Sequence, residues 1–380
     1  MTAVGPWGAH RLSISGVGHV GFHGCGRDAL ANALVAGQAP RWEGDRPALL
    51  ASGVDLNSWV SPRQARRMSP PSRFAVAAAR MALEDAVLGG VGADALRPPV
   101  AVVAATSFGP ASFTEGILHQ IFGQGPEAVS PFFFTESVTN AAAAQVALAL
   151  GARGPNVTLT GREAGPLLAL NRAAREIVLG RAGSAIVLAV DEMTPMLLEI
   201  LDRFGMLTAS TARPFDDARD GILPAEGASA LVLESSTAVE ARDGCSLARL
   251  LGGFGGFDPT ATAASWGRDP QGLASTVERG LARFGLASTD LTAVVSGASG
   301  SVAGDALEDH LWTQLFGAGR PPMVCPKAIV GEYGGGFLAA SVLAASSWAD
   351  EAEATPVRCL VSSLAVGGAG AWVVLGDGHG

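Results

Sequence analysis

The sequence predicts an α/β protein in which buried, parallel-type strands alternate with helices, because three features recur along its 380 residues. Short apolar runs rich in Val, Ile and Ala are separated by longer segments of helical periodicity. Glycine, present 50 times, clusters where these segments meet and fits tight strand-to-helix turns. The alternation restarts after Arg213 with a similar rhythm, which predicts two related halves, residues 1–212 and 213–380.

In the first half the predicted strands are apolar throughout, and glycines mark the ends of the predicted helices, as Gly37 and Gly151 do. The predicted strands are Leu12–Val20, Val100–Ala105, Val157–Thr160 and Ala185–Val190, and the predicted helices are Asp28–Ala36, Ser72–Leu88, Asn140–Leu150 and Leu167–Val178.

The second half repeats this pattern with shorter strands. The predicted strands are Ala228–Glu234, Leu247–Leu251, Thr292–Ser296, Pro322–Cys325, Arg358–Ser362 and Ala371–Leu375, and the predicted helices are Pro270–Phe284, Asp305–Phe316 and Gly336–Ala349.

Composition excludes several classes of function. The net charge of -9, without any basic run, argues against nucleic-acid binding. The four cysteines are scattered, which indicates free thiols in a reducing, cytoplasmic compartment. We expect no signal peptide and no membrane span, since no basic segment precedes an apolar one and no apolar run is long enough. His19 and His23 are four residues apart, but glycines surround them, and we expect no metal site there.

Glu163 occupies the most informative position in the chain. The apolar run Val157–Thr160 reaches two glycines, Gly161 and Gly165, which bracket Glu163, and a helical pattern follows at once. Many enzymes present a nucleophile at such a strand–turn–helix, because the helix N-terminus stabilises negative charge. Here the residue at the turn is a carboxylate.

Several motifs occur in order along the chain, and together they resemble the β-ketoacyl synthases of the thiolase superfamily. The clearest is Arg213–Gly221 (RPFDDARDG), with Glu226–Ala228 and Leu231–Glu234 after it. The other matching blocks are Arg66–Met68, Ala75–Arg80, Ala82–Ala86, Val129–Phe133, Asn140, Gln145–Ala147, Gly154–Thr158, Gly300–Asp305 with Glu308, Lys327 with Gly331, and Gly367–Gly368. The resemblance spans nearly the whole chain and implies a thiolase-like, duplicated fold of five layers, αβαβα.

The resemblance carries over the scaffold of a condensing enzyme but not its catalytic residues. The position of the nucleophilic Cys is Glu163, and the positions of the two His residues are Gly297 and Glu332. Lys327 is retained, and the Phe that gates the acyl pocket in relatives is Val366. A condensing synthase needs a thiolate to hold the acyl chain and imidazoles to drive decarboxylation. We therefore expect no ketosynthase thioester on this chain alone.

The family includes a non-condensing member, the chain-length factor of type II polyketide synthases, in which Gln-Ala-Gly often stands where this chain has Glu163–Gly165. The resemblance implies a heterodimer with an active ketosynthase subunit that shapes the polyketide tunnel. It also implies a substrate carried on the phosphopantetheine of acyl carrier protein, with no bound cofactor. In the matching interface region, Phe132, Phe133, Phe134 and Glu136 would set the tunnel depth or form the core of the interface.

Two other functions remain open. The chain could be a homodimeric enzyme that uses Glu163, Lys327 and Glu332 for cyclisation, hydrolysis or decarboxylation of a polyketide, or it could be a binding or regulatory pseudo-enzyme. Each residue also has a purely structural interpretation: Glu163 as a carboxylate stabilised by the following helix, and Lys327 with Glu332 as an ion pair.

One short segment is rich in arginine. Arg63, Arg66, Arg67 and Arg73 form the only dense basic patch that could contact an acidic carrier protein. The same pattern is equally typical of a solvated helix face.

Overall fold

The computed structural model describes residues 11–37, 47–51, 53–86, 96–351 and 356–378. The eleven strands in these ranges form one continuous sheet. They are β1 (Leu12–Gly21), β2 (Gly24–Cys25), β3 (Val100–Ala105), β4 (Asn156–Leu159), β5 (Ser184–Asp191), β6 (Gly227–Ser235), β7 (Ala248–Phe257), β8 (Ala293–Ser296), β9 (Met323–Val324), β10 (Arg358–Leu364) and β11 (Ala369–Gly376).

Helices connect the strands in both halves. They are α1 (Gly26–Ala36), α2 (Pro62–Ala65), α3 (Pro70–Asp85), α4 (Ala111–Gln124), α5 (Pro131–Ser137), α6 (Ala141–Leu150), α7 (Gly165–Val178), α8 (Pro195–Arg203), α9 (Ser236–Glu240), α10 (Pro270–Ala282), α11 (Val302–Phe316), α12 (Lys327–Val330) and α13 (Gly334–Glu351). Within the described part of the chain, none of these helices combines the length and the apolar character needed to cross a membrane.

The sheet consists of two sets of five strands with the same order. The first set runs β4-β3-β5-β6-β1 and the second runs β9-β8-β10-β11-β7, while β2 forms a hairpin on β1. The directions also match, since β3 is parallel to both its neighbours and β8 is parallel to both of its own, and the other pairs are antiparallel. The sets join where β1 pairs with β7 over Leu12–Ile14. This repeated order is what an internal duplication produces.

Two central helices separate the two sets of strands. Helix α7 packs on β3 and β5 of the first set and on β7 and β11 of the second, and α13 likewise contacts strands of both. Helices α3 and α6 cover the outer face of the first set, and α10 with α11 covers the outer face of the second. The result is five layers in the order αβαβα, so the predicted α/β class and layering are confirmed.

Strand β3 shows why the buried strands are apolar at every position. Ala101, Val103 and Ala105 belong to the central core beside α7, whereas Val100, Val102 and Ala104 belong to the outer core beneath α3 and α6. Successive side chains of a strand point to opposite faces, and helices cover both faces here.

The structure differs from the predicted elements at several places. Helix α3 begins at Pro70 rather than Ser72, because proline suits the first helical turn; its predicted end at residues 87–88 lies outside the described residues. Strand β7 continues to Phe257 rather than ending at Leu251, because its glycines pack closely against neighbours: a Cβ on Gly252 would lie 2.8 Å from the Phe284 ring. Helices α4, α5 and α8 were not predicted; α8 has apolar residues at helical spacing, Leu197, Leu198 and Leu201, that the sequence analysis did not use.

The boundary expected between residues 212 and 213 stays a prediction. Strand β6, which follows that point in the chain, pairs with β5 and β1 and completes the strand order of the first set.

Candidate functional site

The turn that presents Glu163 has the predicted layout. Strand β4 ends at Leu159, a single 3₁₀ turn spans Arg162–Ala164, and α7 starts at Gly165. Arg162 has a φ of 47°, in the left-handed region that costs a non-glycine residue free energy. A Cβ on Gly161 would lie 2.9 Å from the Cα of Gly165, so the turn is closed too tightly for a larger residue.

Glu163 is held at this turn by its backbone, while one oxygen of its carboxyl group lacks a hydrogen bond. Its carbonyl oxygen accepts a hydrogen bond of 2.6 Å from the Ser363 hydroxyl at the end of β10. Among the described residues its Oε2 atom is buried without a hydrogen-bond partner. Burial, followed by the nearby charge of Glu332, raises the pKa of Glu163 to about 7, although Lys327 and Arg162 oppose the shift.

Lys327 and Glu332 form the buried ion pair that the structural interpretation expected. The Lys327 Nζ atom donates to both carboxylate oxygens of Glu332, at 2.8 and 2.9 Å. Lys327 is only 1% exposed, and its ammonium group also lies 5.1 Å from the centre of the Phe337 ring. Lys327 is the only lysine of the chain, a compositional signal that the motif comparison did not use.

Glu308, which sequence reasoning placed only in a matching block, is part of the same cluster. It lies buried on α11, and burial raises its pKa to about 7; the Asp305 charge adds to this, while Lys327 and the Ser296 and Ser362 hydroxyls oppose it. The pKa of the neighbouring Cys325 thiol rises to about 12, mainly through burial and then through the Glu308 charge. The cluster therefore contains no thiolate-forming group at neutral pH.

Gly297, at the position of the first expected histidine, has no room for a side chain. A Cβ there would lie 2.8 Å from the Ser362 carbonyl oxygen and 3.1 Å from both the Cα and the Oγ of Ser363. These are atoms of β10, and the same Ser363 holds the Glu163 turn. A side chain at residue 297 would therefore require the end of β10 to shift.

The carboxylates of the strongest sequence motif bind the scaffold. Asp220 accepts a hydrogen bond of 2.7 Å from the Thr208 hydroxyl, and Glu226 accepts hydrogen bonds from the backbone N–H groups of Ala51 and Met193. In a later matching block, Asp305 accepts three backbone N–H groups, those of Phe215, Ser299 and Gly300. These carboxylates tie loops together.

The aromatic residues expected at an interface lie on a helical hairpin formed by α4 and α5. The Phe133 ring packs against Phe113 with centroids 5.0 Å apart, and Phe134 is 60% exposed. The Phe132 side chain lies outside the described part of the structure. Val366 is partly buried in the turn between β10 and β11.

Glu136 differs from the phenylalanines around it. Its carboxylate is buried and accepts hydrogen bonds from the backbone and hydroxyl of Ser69, from Ser72 and from Gln145. It fastens α5 to α3 and α6, which is the function of a structural residue.

The histidine pair of β1 does not converge. His19 is buried and its Nδ1 atom lies 3.0 Å from the Ser229 hydroxyl, while the Nε2 atom of His23 lies 2.9 Å from the Ile329 carbonyl oxygen. Burial lowers the pKa of His19 to about 3, so it is neutral. Within the ranges that the structure describes, no group of three or more His, Cys, Asp or Glu side chains could hold a metal ion.

Comparison with known proteins agrees with this geometry. Residues 53–238 match the family model "Beta-ketoacyl synthase, N-terminal domain". The chain is 30% identical over 350 residues to a protein named as an actinorhodin polyketide β-ketoacyl synthase 2 of Streptomyces coelicolor, covering 85% of this chain and 82% of that one.

Solved structures extend the likeness to the whole fold. The ishigamide ketosynthase/chain length factor superposes with a TM-score of 0.84 at 25% identity, over 97% of this chain and 99% of the other. A type II polyketide synthase acyl carrier protein in complex with its ketosynthase bound to the hexaketide gives a TM-score of 0.82 at 19% identity, over 97% and 99%. The predicted thiolase-like fold is thus confirmed. The 30% identity over most of both chains shows in addition that this chain belongs to the β-ketoacyl synthase family.

Proposed function

We propose that the chain is a non-condensing, chain-length-factor type of subunit, which pairs with an active ketosynthase and shapes the tunnel of a type II polyketide pathway. The observation that carries this proposal is Gly297. A missing imidazole could reflect one substitution, but here a side chain at residue 297 would also press on Ser362 and Ser363 of β10. Condensation needs a nucleophile and imidazole donors to the developing enolate, and Glu163, Gly297 and Glu332 supply neither a thiolate nor an imidazole.

The exposed apolar side chains of the α4–α5 hairpin support a partner subunit. Leu118 and Phe122 lie four residues apart on α4, and Phe134 and Val138 lie four apart at α5; they are 43%, 84%, 60% and 38% exposed. Large apolar side chains that remain exposed together favour protein association. The relative with solved structure is described as a ketosynthase/chain length factor, so we propose a ketosynthase as the partner.

We further propose that the substrate arrives on acyl carrier protein. Arg63, Arg66 and Arg67 are exposed on and beside α2, which gives this acidic chain a local positive surface for an acidic carrier. The neighbour of the same fold, described as a ketosynthase with its acyl carrier protein, supports this choice of partner.

All four cysteines carry free thiols, which supports a cytoplasmic location.

Co-expression tests the proposal. The chain and a type II ketosynthase encoded beside it should co-purify as a stable 1:1 complex, and Phe134→Ala should change the length of the polyketide made by that complex. The control is the same complex carrying Val35→Ala, a substitution at an exposed apolar position on α1. Stable acyl labelling of the purified single chain by acyl carrier protein would contradict the proposal.

One observation favours the second function, a homodimeric enzyme. Glu163 has a pKa of about 7, raised mainly by burial, and it lies beside the Lys327–Glu332 pair. Such a carboxyl group is suited to general acid–base catalysis. If the chain is a homodimeric enzyme, the isolated wild-type homodimer turns over a polyketide without a partner, and Glu163→Gln abolishes that turnover. If the chain is a non-condensing subunit, neither the isolated wild type nor the Glu163→Gln variant turns over a polyketide.

A further inference from the structure

The buried cluster around Lys327 contains more acids than bases. Both oxygens of Glu332 bind the single ammonium group, at 2.8 and 2.9 Å. Glu163 on the 3₁₀ turn and Glu308 on α11 also lie within the electrostatic reach of Lys327. The only other cation acting on Glu163 in the described structure is Arg162, which points to solvent. Three carboxyl groups therefore face one buried ammonium.

The two additional carboxyl groups differ from an ordinary buried carboxylate. The Oε2 atom of Glu163 and the Oε1 atom of Glu308 are buried without a hydrogen-bond partner among the described residues. Asp305, on the same helix as Glu308, instead accepts three backbone N–H groups and faces Arg219. A buried carboxylate is costly when nearby cations and donors do not offset its lost hydration, and taking up a proton removes that cost. For Glu163 and Glu308, burial outweighs the opposing effects of Lys327 and of the nearby donors.

We propose that Glu163 and Glu308 each hold a proton in mildly acidic solution, which makes the cluster a buried two-proton site around one Lys327–Glu332 ion pair. Two neutral acids, one carboxylate and one ammonium give the site a net charge of zero. A neutral carboxylic acid also has the shape of the glutamine amide that many chain-length factors have at the Glu163 position. The inference depends on this chain alone, so its failure would leave the proposed pairing with a ketosynthase untouched.

The protons link the stability of the site to pH. Burial is the largest cause that raises the pKa of both acids above their ordinary value of 4.5. A raised pKa means that the folded chain binds the proton more tightly than the unfolded chain. The stabilisation is therefore complete below about pH 4.5 and is lost as the pH rises through about 7.

Urea unfolding of four proteins tests the proposal: the wild type, Glu163→Gln, Glu308→Gln and the control Glu278→Gln, whose side chain is exposed on α10. For Glu163→Gln and for Glu308→Gln, we compare the folding equilibrium constant of the variant with that of the wild type. The ratio of variant to wild type should rise at least about tenfold between about pH 5 and about pH 8. Glu278→Gln should follow the wild type. If all three variants follow the wild type, the carboxyl groups are ionised throughout and the proposal is wrong.

Because the chain has one lysine, a second measurement can be made on the wild type and does not depend on whether the variants fold. Selective isotope labelling of lysine gives one NMR signal for the Lys327 side chain in the intact wild-type protein. That signal should shift with a midpoint near pH 7, as the neighbouring acids lose their protons. A signal that does not move between about pH 5 and about pH 8 overturns the two-proton site.

Discussion

The interior cluster around Lys327 and the outer face of the α4–α5 hairpin are built in opposite ways. In the cluster, the space that a catalytic side chain would need is filled by backbone at Gly297, and the only lysine is enclosed by a carboxylate and a ring. On the hairpin, Phe122 and Phe134 remain 84% and 60% exposed.

This difference between a closed interior and an exposed apolar surface indicates that the chain acts through association rather than through the cluster. Removing one partner of the ion pair in the cluster should destabilise the fold, and the cluster holds no open nucleophile. The hairpin contributes little to the stability of a single chain, because exposed side chains gain little on folding. Substitutions in the two regions should therefore separate stability from association.

The largest effect on stability is expected from Lys327→Met. The substitution keeps the length of the side chain but leaves Glu332 buried without its partner, which costs about 3–5 kcal/mol of unfolding free energy. Urea unfolding of the variant and the wild type at one pH measures this loss.

The matched control for Lys327→Met is Arg203→Met, which breaks an exposed ion pair with Glu199. Exposed pairs contribute about 0–1 kcal/mol. If the two substitutions cost the same, burial adds nothing to the Lys327 pair, and the contrast between interior and surface disappears.

An intermediate effect is expected from Gly297→Ala. The added Cβ would lie 2.8 Å from the Ser362 carbonyl oxygen, a backbone atom within a paired strand, and such overpacking costs about 1–3 kcal/mol. Gly116→Ala on α4 is the control, because its Cβ meets open space and should stabilise the helix by about 0.5–1 kcal/mol. A Gly297→Ala protein as stable as the wild type would show that the histidine position is open after all.

The sequence predicted the fold well, because buried strands and helix-ending glycines are local signals. β3 was placed correctly from its apolar run, and the turn at Glu163 from its bracketing glycines. Motif positions also identified Lys327 and Glu332 as partners in an ion pair.

What the sequence could not predict are distances across the fold. The closure at Gly297 depends on the end of β10, some 65 residues later in the chain, and no local pattern encodes that approach. For the same reason the sequence placed Glu308 only in a matching block and did not reveal that Lys327 acts on it. It grouped Glu136 with the aromatic residues and did not reveal that Ser69 and Ser72 bind its carboxylate.

The smallest effect on stability, and the largest on association, is expected from Phe122→Ser. The side chain is 84% exposed, so the free energy of unfolding of the single chain should change by no more than about 0.5 kcal/mol. If the hairpin face binds the ketosynthase, loss of a central aromatic should weaken the complex at least about tenfold in a co-purification or titration calorimetry assay. Val35→Ser, equally exposed at 88% but on α1, should change neither quantity. Equal weakening by both variants would mean that the loss is not specific to the hairpin, and the partner surface would then have to be sought elsewhere on the chain.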